Sequence, residues 1–127
     1  MATATYLKGE KTTIEYTCTG AVAVDTIKVF GDSGTVSVGV AQVAGVTGDV
    51  ITFDISGTYI FPAVTGAVIA QGESVDWDAS AGKVDDNALS ATTGDVSDFG
   101  IALDAKAAAA TATTIVVKLL PGNGAIT

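Results

Sequence analysis

Residues 57–84 read GTYIFPAVTGAVIAQGESVDWDASAGKV, and their order decides the fold: strand, proline stop, strand, hairpin. Tyr59 and Phe61 share one face of the first strand, and Pro62 ends it because proline has no N–H to give a ladder. Val75 and Trp77 share a face at period two. Ala79-Ser80-Ala81-Gly82 then supplies a short turn, with glycine where a positive φ is cheap.

The same rhythm extends in both directions. Short runs rich in Val, Ile and Thr span 12–18, 26–30, 35–43, 50–55, 58–61, 67–70, 73–78, 99–103 and 114–120. Most alternate: Ile51, Phe53 and Ile55 oppose Thr52 and Asp54, and Val36, Val38 and Val40 oppose Thr35, Ser37 and Gly39. Fifteen glycines punctuate these runs at strand-length intervals. No segment keeps a 3.6-residue period across three turns. The pattern predicts an all-β chain, a compact single-domain β-sandwich or barrel of short strands.

Two regions break the rhythm. Residues 1–11 are polar and Ala/Thr-rich, with Tyr6 and Leu7 as their large apolar residues, and read as an extended N-terminal arm before a β domain at 12–127. Such an arm carries too little apolar surface to order itself, which predicts protease sensitivity in the free protein. Residues 85–98 (DDNALSATTGDVSD) form an acidic small-residue loop, and 105–113 (AKAAAATAT) read as a mobile connection between the last two strands.

Composition narrows the function. At 127 residues the chain is one domain, able to bury roughly two-thirds of its unfolded surface. No run reaches the about 18 apolar residues of a membrane span, and the N-terminus lacks the basic and apolar regions of a secretory signal, so synthesis in a cytoplasm and no membrane partner are expected. Net charge is -8 and all six cations are lysine. A nucleic-acid partner is not expected, because phosphate binding needs clustered cations and base reading favours arginine.

The chain resembles a family of tailed-phage capsid decoration, or cement, proteins, long catalogued as a domain of unknown function and sometimes mislabelled recombinase-like. The matching residues are Gly57, Phe61-Pro62, Ala70-Gln71-Gly72, Val75, Trp77-Asp78 and Gly82-Lys83-Val84. Further similarity lies in Gly34–Ala41 (GTVSVGVA), Phe99-Gly100-Ile101-Ala102 and Val116-Val117-Lys118-Leu119. None is specific alone; the ordered set covers most of the chain. One departure is Val24-Asp25, where the family pattern has a Gly-Asp turn.

Chemistry finds few footholds. With no histidine there is no Ser-His or Cys-His pair and no ordinary zinc site, and with no arginine there is no bidentate anion clamp. Gly82-Lys83 is not a phosphate loop, since Val84 stands where Ser or Thr would meet magnesium. Asp76 and Asp78 flank Trp77 and read as a solvent-facing acidic pair rather than acid/base partners. Residues 76–82 imitate the start of an EF-hand, yet glycine comes one place late and Asn87 replaces the closing glutamate. Asp85, Asp86, Asp95 and Asp98 could hold a cation loosely or simply keep a loop soluble. Cys18 falls on the face of Ile14 and Tyr16 and reads as an ordinary buried thiol.

No enzyme, cofactor or metal is therefore expected. The resemblance implies a structural protein of the virion that binds the outer surface of an assembled phage head. There it bridges neighbouring major capsid subunits, commonly as a trimer. Tyr6 and Leu7 are the candidate capsid anchors by position and type. Trp77 is either core or an aromatic contact at a subunit or capsid interface. A carbohydrate-binding or adhesion module is the competing class, and it would expose an aromatic platform.

Overall fold

A computed structural model describes residues 2–89 and 91–127. Among them there is no helix, and the chain is all-β. The strands are β1 (Thr5–Lys8), β2 (Thr13–Thr17), β3 (Ile27–Phe30), β4 (Thr35–Ala41), β5 (Val50–Asp54), β6 (Thr58–Pro62), β7 (Ser74–Asp78), β8 (Lys83–Asp85), β9 (Val96–Ala102), β10 (Thr114–Leu119) and β11 (Gly124–Ile126). They form one curled antiparallel sheet, a half-barrel, along the path β1-β6-β10-β9-β11-β4-β5-β2. β3 pairs β4, β7 pairs β9, and β8 hangs on β7. The curl nearly closes at one end, where Ala63 makes a parallel bridge with Val84 and the Val64 N–H donates to the Val84 carbonyl at 2.9 Å.

The curled sheet encloses two cores, and β4 serves both. Val36, Val38 and Val40 join the larger one with Tyr59, Phe61, Val75, Trp77, Phe99, Ile115 and Val117. Ala41, on the other face, joins a smaller core with Cys18, Ile51 and Phe53. A side chain at Gly39 would meet Phe30 and Phe53, so glycine there lets two rings cover the strand. Edge-to-face ring pairs knit each core: Phe61–Phe99 at 5.6 Å in the larger, Phe30–Phe53 at 5.0 Å in the smaller.

Sequence and structure agree where alternation is strong and part where backbone pairing decides. The turn of Asp78–Gly82 forms with Gly82 at φ 64°. At Val24-Asp25 the aspartate itself takes φ 69°, so the turn survives without the expected glycine. Residues 67–70, expected as a strand, make only an isolated bridge between Ile69 and Lys106. The 105–113 connection is pinned rather than loose at that point. Lys106 is buried, and its ammonium donates to the carbonyls of Thr65, Ala67 and Ala107 at 3.1, 2.8 and 3.2 Å.

The N-terminal residues also differ from expectation. Met1 lies outside the described residues. No extended arm is seen; β1 pairs β6, Ala4 is buried in the larger core, and Thr3 bridges Thr26. The Ile27 N–H donates to Ala2 and the Ala4 N–H to Asp25, at 3.0 and 2.9 Å. Order here comes from main-chain bonds to two strand edges, which need no large apolar side chain.

Gly100 accounts for the glycine in the Phe99–Ala102 motif. A Cβ there would sit 2.5 Å from Val117 Cγ1 and 2.7 Å from the Lys118 carbonyl oxygen, a backbone atom that cannot swing away. Gly100→Ala is expected to destabilise the domain by about 3 kcal/mol, read as a lower urea midpoint. An unchanged midpoint would mean that β9 and β10 can separate freely.

Candidate functional site

β1 carries the residues chosen from sequence as anchors. Tyr6 and Leu7 are 41% and 48% exposed, on a strand that pairs β6 at one end of the sheet path. Tyr6 is nonetheless held. Its hydroxyl donates to the Gly9 carbonyl at 2.9 Å, the Lys11 ammonium lies 4.2 Å from its ring centre, and its edge meets Tyr59 at 5.4 Å. Leu7 offers apolar surface on the same short strand.

Behind this strand lies a buried polar node that sequence reasoning missed. Asp54 is fully buried; its Oδ2 accepts the Tyr59 hydroxyl at 2.7 Å, and its Oδ1 accepts the N–H groups of Ser56 and Gly57 at 3.0 and 3.3 Å. Gln42 donates to the Tyr59 oxygen and to the Val40 carbonyl, both at 2.9 Å. Burial, then the bond to Asp54, pushes the Tyr59 hydroxyl far above its ordinary value, so it stays a donor. The Ser56 hydroxyl donates to the Glu10 carbonyl at 2.9 Å and accepts the Thr12 N–H at 2.7 Å, while Lys118 Nζ donates to the Ser56 carbonyl. The segment leaving β1 is thereby tied to the β5–β6 turn. Asp54 had the right sequence signal, a polar residue opposite Phe53, but alternation alone assigns that face to solvent.

Trp77 sits elsewhere. It is 6% exposed, edge-on to Phe61 and Phe99 at 6.3 and 6.4 Å, within the larger core. Ring contacts run from Tyr6 through Tyr59 and Phe61 to Trp77. Of the aromatics that could build a sugar platform, Tyr59 is buried like Trp77 and Tyr16 is half-buried, leaving Tyr6 exposed.

The acidic residues are structural in ways the alternation hid. Asp76, expected on a solvent face, is buried, because β9 bulges opposite it. The register changes between Val75 and Trp77, Asp98 takes φ 57°, and the Asp76 carboxylate accepts the Asp98 N–H at 2.9 Å in place of a ladder carbonyl. Asp95 is also buried, accepting the N–H groups of Ala79 and Thr92 at 2.9 and 2.8 Å. Among the described residues no group of three or more Cys, Asp or Glu is arranged to hold a metal ion. Cys18 is buried and free in the smaller core.

Burial, reinforced by the nearby carboxylates of Asp98, Asp85 and Asp86, raises the Asp76 carboxyl above 3.8 despite the opposing bond from Asp98. Folded Asp76 thus keeps its proton to higher pH than the unfolded chain does. Its contribution to stability is fully present below 3.8 and is lost as pH rises through the folded value. Asp76→Asn keeps an acceptor for Asp98 and carries no charge. It is expected to raise the thermal midpoint at pH 7 and to lose that advantage toward pH 3.8. A variant less stable than the parent at pH 7 would contradict this.

An open edge strand, an exposed Tyr-Leu pair and an acidic β scaffold describe a binding module better than a reaction centre. A family model for phage cement proteins matches residues 8–119. The chain belongs to the phage cement protein family. No curated protein and no solved structure shows a significant match to it. As a phage cement protein it belongs to a structural family associated with the phage capsid. The match begins at Lys8, so Tyr6 and Leu7 lie just ahead of the family-defining region.

Proposed function

We propose that this cement protein decorates the outer surface of an assembled phage head, binding the major capsid protein and bridging neighbouring subunits so that the shell withstands its packaged DNA. The cement-family match across nearly the whole chain carries this reading. Three features of the molecule support it. Among the described residues, eleven short strands curled around two cores give a stiff body. The net charge of -8 suits an outer shell surface better than one facing DNA. Residues 1–11, with Tyr6 and Leu7 exposed on an edge strand, form the contact region, and 12–127 form the supporting domain.

Edge strands bind partners readily because one row of their N–H and C=O groups lacks a ladder, and flanking side chains then set specificity. Trp77 acts from behind, by keeping the core rigid, unless a capsid contact reaches the β7 end. The protein is made in the host cytoplasm and acts on the head as a homotrimer, in which modest contacts made by three linked copies reinforce one another.

The test is co-sedimentation with heads assembled without decoration protein. The parent chain should saturate the heads at a fixed ratio to the major capsid protein. Leu7→Asp should retain the parent's thermal midpoint and lose at least tenfold in head affinity, because a half-exposed leucine in a contact becomes a buried unpaired charge. Equal binding by the variant would remove β1 from the contact.

A further inference from the structure

Residues 5–17 run antiparallel beside 50–60, so β1 and β2 form one continuous rim. The two halves of that rim are built differently. β1 pairs β6 with a register shift between Tyr6 and Lys8, which interrupts its outer row of main-chain groups. β2 pairs β5 through consecutive residues from Thr13 to Thr17 with no shift. It ends the sheet path, and among the described residues β5 is its one strand partner.

Parity identifies the open groups. The Cys18 N–H donates to the Asp49 carbonyl at 2.8 Å, and the Ile55 N–H to the Thr12 carbonyl at 2.9 Å. Main-chain groups alternate in direction along a strand, so those of Ile14 and Tyr16 also face β5. The N–H and C=O of Thr13, Glu15 and Thr17 therefore face away from it. All three of these residues are exposed, along an edge about 17 Å long. Free edges are commonly blunted by proline, lysine or a bulge. β2, TIEYT, has none of these, and its one charge is Glu15.

We propose that an extended segment of the major capsid protein adds to β2 as a new edge strand, with a lysine or arginine set opposite Glu15. The inference rests on the decoration reading above and gives it a main-chain contact beside the side-chain contact of Tyr6 and Leu7. An added strand sends alternate side chains to opposite faces. Those opposite Thr13, Glu15 and Thr17 lie on the exposed face, where a cation meets the Glu15 carboxylate. Those opposite Ile14 and Tyr16 lie on the side of the smaller core. There Tyr16, Val22, Ile27 and Phe53 wall an open cleft of about 250 Å³ that suits an apolar side chain.

Charge selects this occupant over a second copy. A chain of net charge -8 attracts a cationic segment throughout its approach. Two β2 strands joined about a twofold axis with every residue from Thr13 to Thr17 paired would set Glu15 against Glu15. Like charges directly opposite destabilise a sheet.

The test is amide hydrogen exchange of the parent chain, free and on undecorated heads, read residue by residue after release. The N–H groups of Thr13, Glu15 and Thr17 should exchange at least tenfold more slowly on heads, while those of Ile14 and Tyr16, already in the ladder, change little. A contact made through side chains alone would not produce that alternation. Head affinity is measured alongside. Thr17→Pro removes an outward N–H and spares the β2–β5 ladder, so it should bind about tenfold more weakly, whereas Thr17→Ala should bind nearly as the parent does. Glu15→Lys should also lose about tenfold, with Glu15→Gln between it and the parent.

The exchange measurement uses the parent, so it decides whether or not Thr17→Pro folds. Unchanged exchange at Thr13, Glu15 and Thr17 in protein that binds heads overturns the strand addition and leaves the decoration reading standing. Parent-like binding by Thr17→Pro or Glu15→Lys does the same. If those amides slow in free protein as its concentration rises, and heads add nothing, the occupant is a second copy and the capsid assignment is overturned. A parent chain that binds no head overturns the decoration reading and this inference together.

Discussion

Asp54→Ala should lower the stability of the domain by about 3–5 kcal/mol, shifting the thermal midpoint down by roughly 10–20 °C. The substitution strands three donors in a site closed to water: the Tyr59 hydroxyl, 2.7 Å from Oδ2, and the N–H groups of Ser56 and Gly57 on Oδ1. Each buried donor left without an acceptor costs about 1–3 kcal/mol, though the three are neighbours and their losses are not additive. Domains of this size are stable by only about 5–15 kcal/mol, so the variant should still fold but melt early.

Tyr59→Phe should cost less, about 1–2 kcal/mol, because it removes one donor and leaves both N–H bonds in place. The damage should also spread to β1, since Ser56 holds Glu10 and Thr12. Faster proteolytic cleavage after Lys8 and Lys11 in Asp54→Ala than in Tyr59→Phe is the matching local readout. A midpoint within about 2 °C of the parent would show that water replaces the carboxylate without loss.

Trp77→Ala should cost about 3–5 kcal/mol, and Trp77→Phe should recover most of it. The indole packs edge-on against Phe61 and Phe99 under the near-closure of β6 on β8, beside the fully buried Val84. Removing it leaves a cavity that strands on three sides cannot collapse to fill. Denaturant melts of the three proteins measure this. Phenylalanine at the site should also support parent-like head binding. A Trp77→Phe chain that melts like the parent but fails to bind would instead make the indole a contact group.

The fold was legible wherever one face of a strand was apolar and the other polar. Tyr59/Phe61, Val75/Trp77 and Ile51/Phe53 all point inward as their spacing requires, and Gly82 makes its turn. What stayed hidden depends on partners distant in sequence. β1, β8 and β11 are three or four residues long and are defined by the strands they pair, not by their own patterning. Asp54 and Asp76 occupy positions that alternation gives to solvent, but a curled sheet covers both faces of its central strands, and main-chain donors meet the carboxylates there.

The candidate site was half visible. Tyr6 and Leu7 stood out as large apolar residues in a polar segment, and both are exposed. The hydrogen bonds that fix that segment to the start of β3 join main-chain atoms, and those to the β5–β6 turn join its main chain to the Ser56 hydroxyl, a partner more than forty residues away that local patterning does not reveal.

The most direct measurement is a three-dimensional reconstruction of heads saturated with the protein, at a resolution that traces both chains. The decoration reading predicts density for this domain on the outer face of the shell, grouped in threes, each copy lying across a boundary between capsid subunits with β1 against the shell. Density on the inner face, density confined within single capsid subunits, or bare heads after saturation would contradict it.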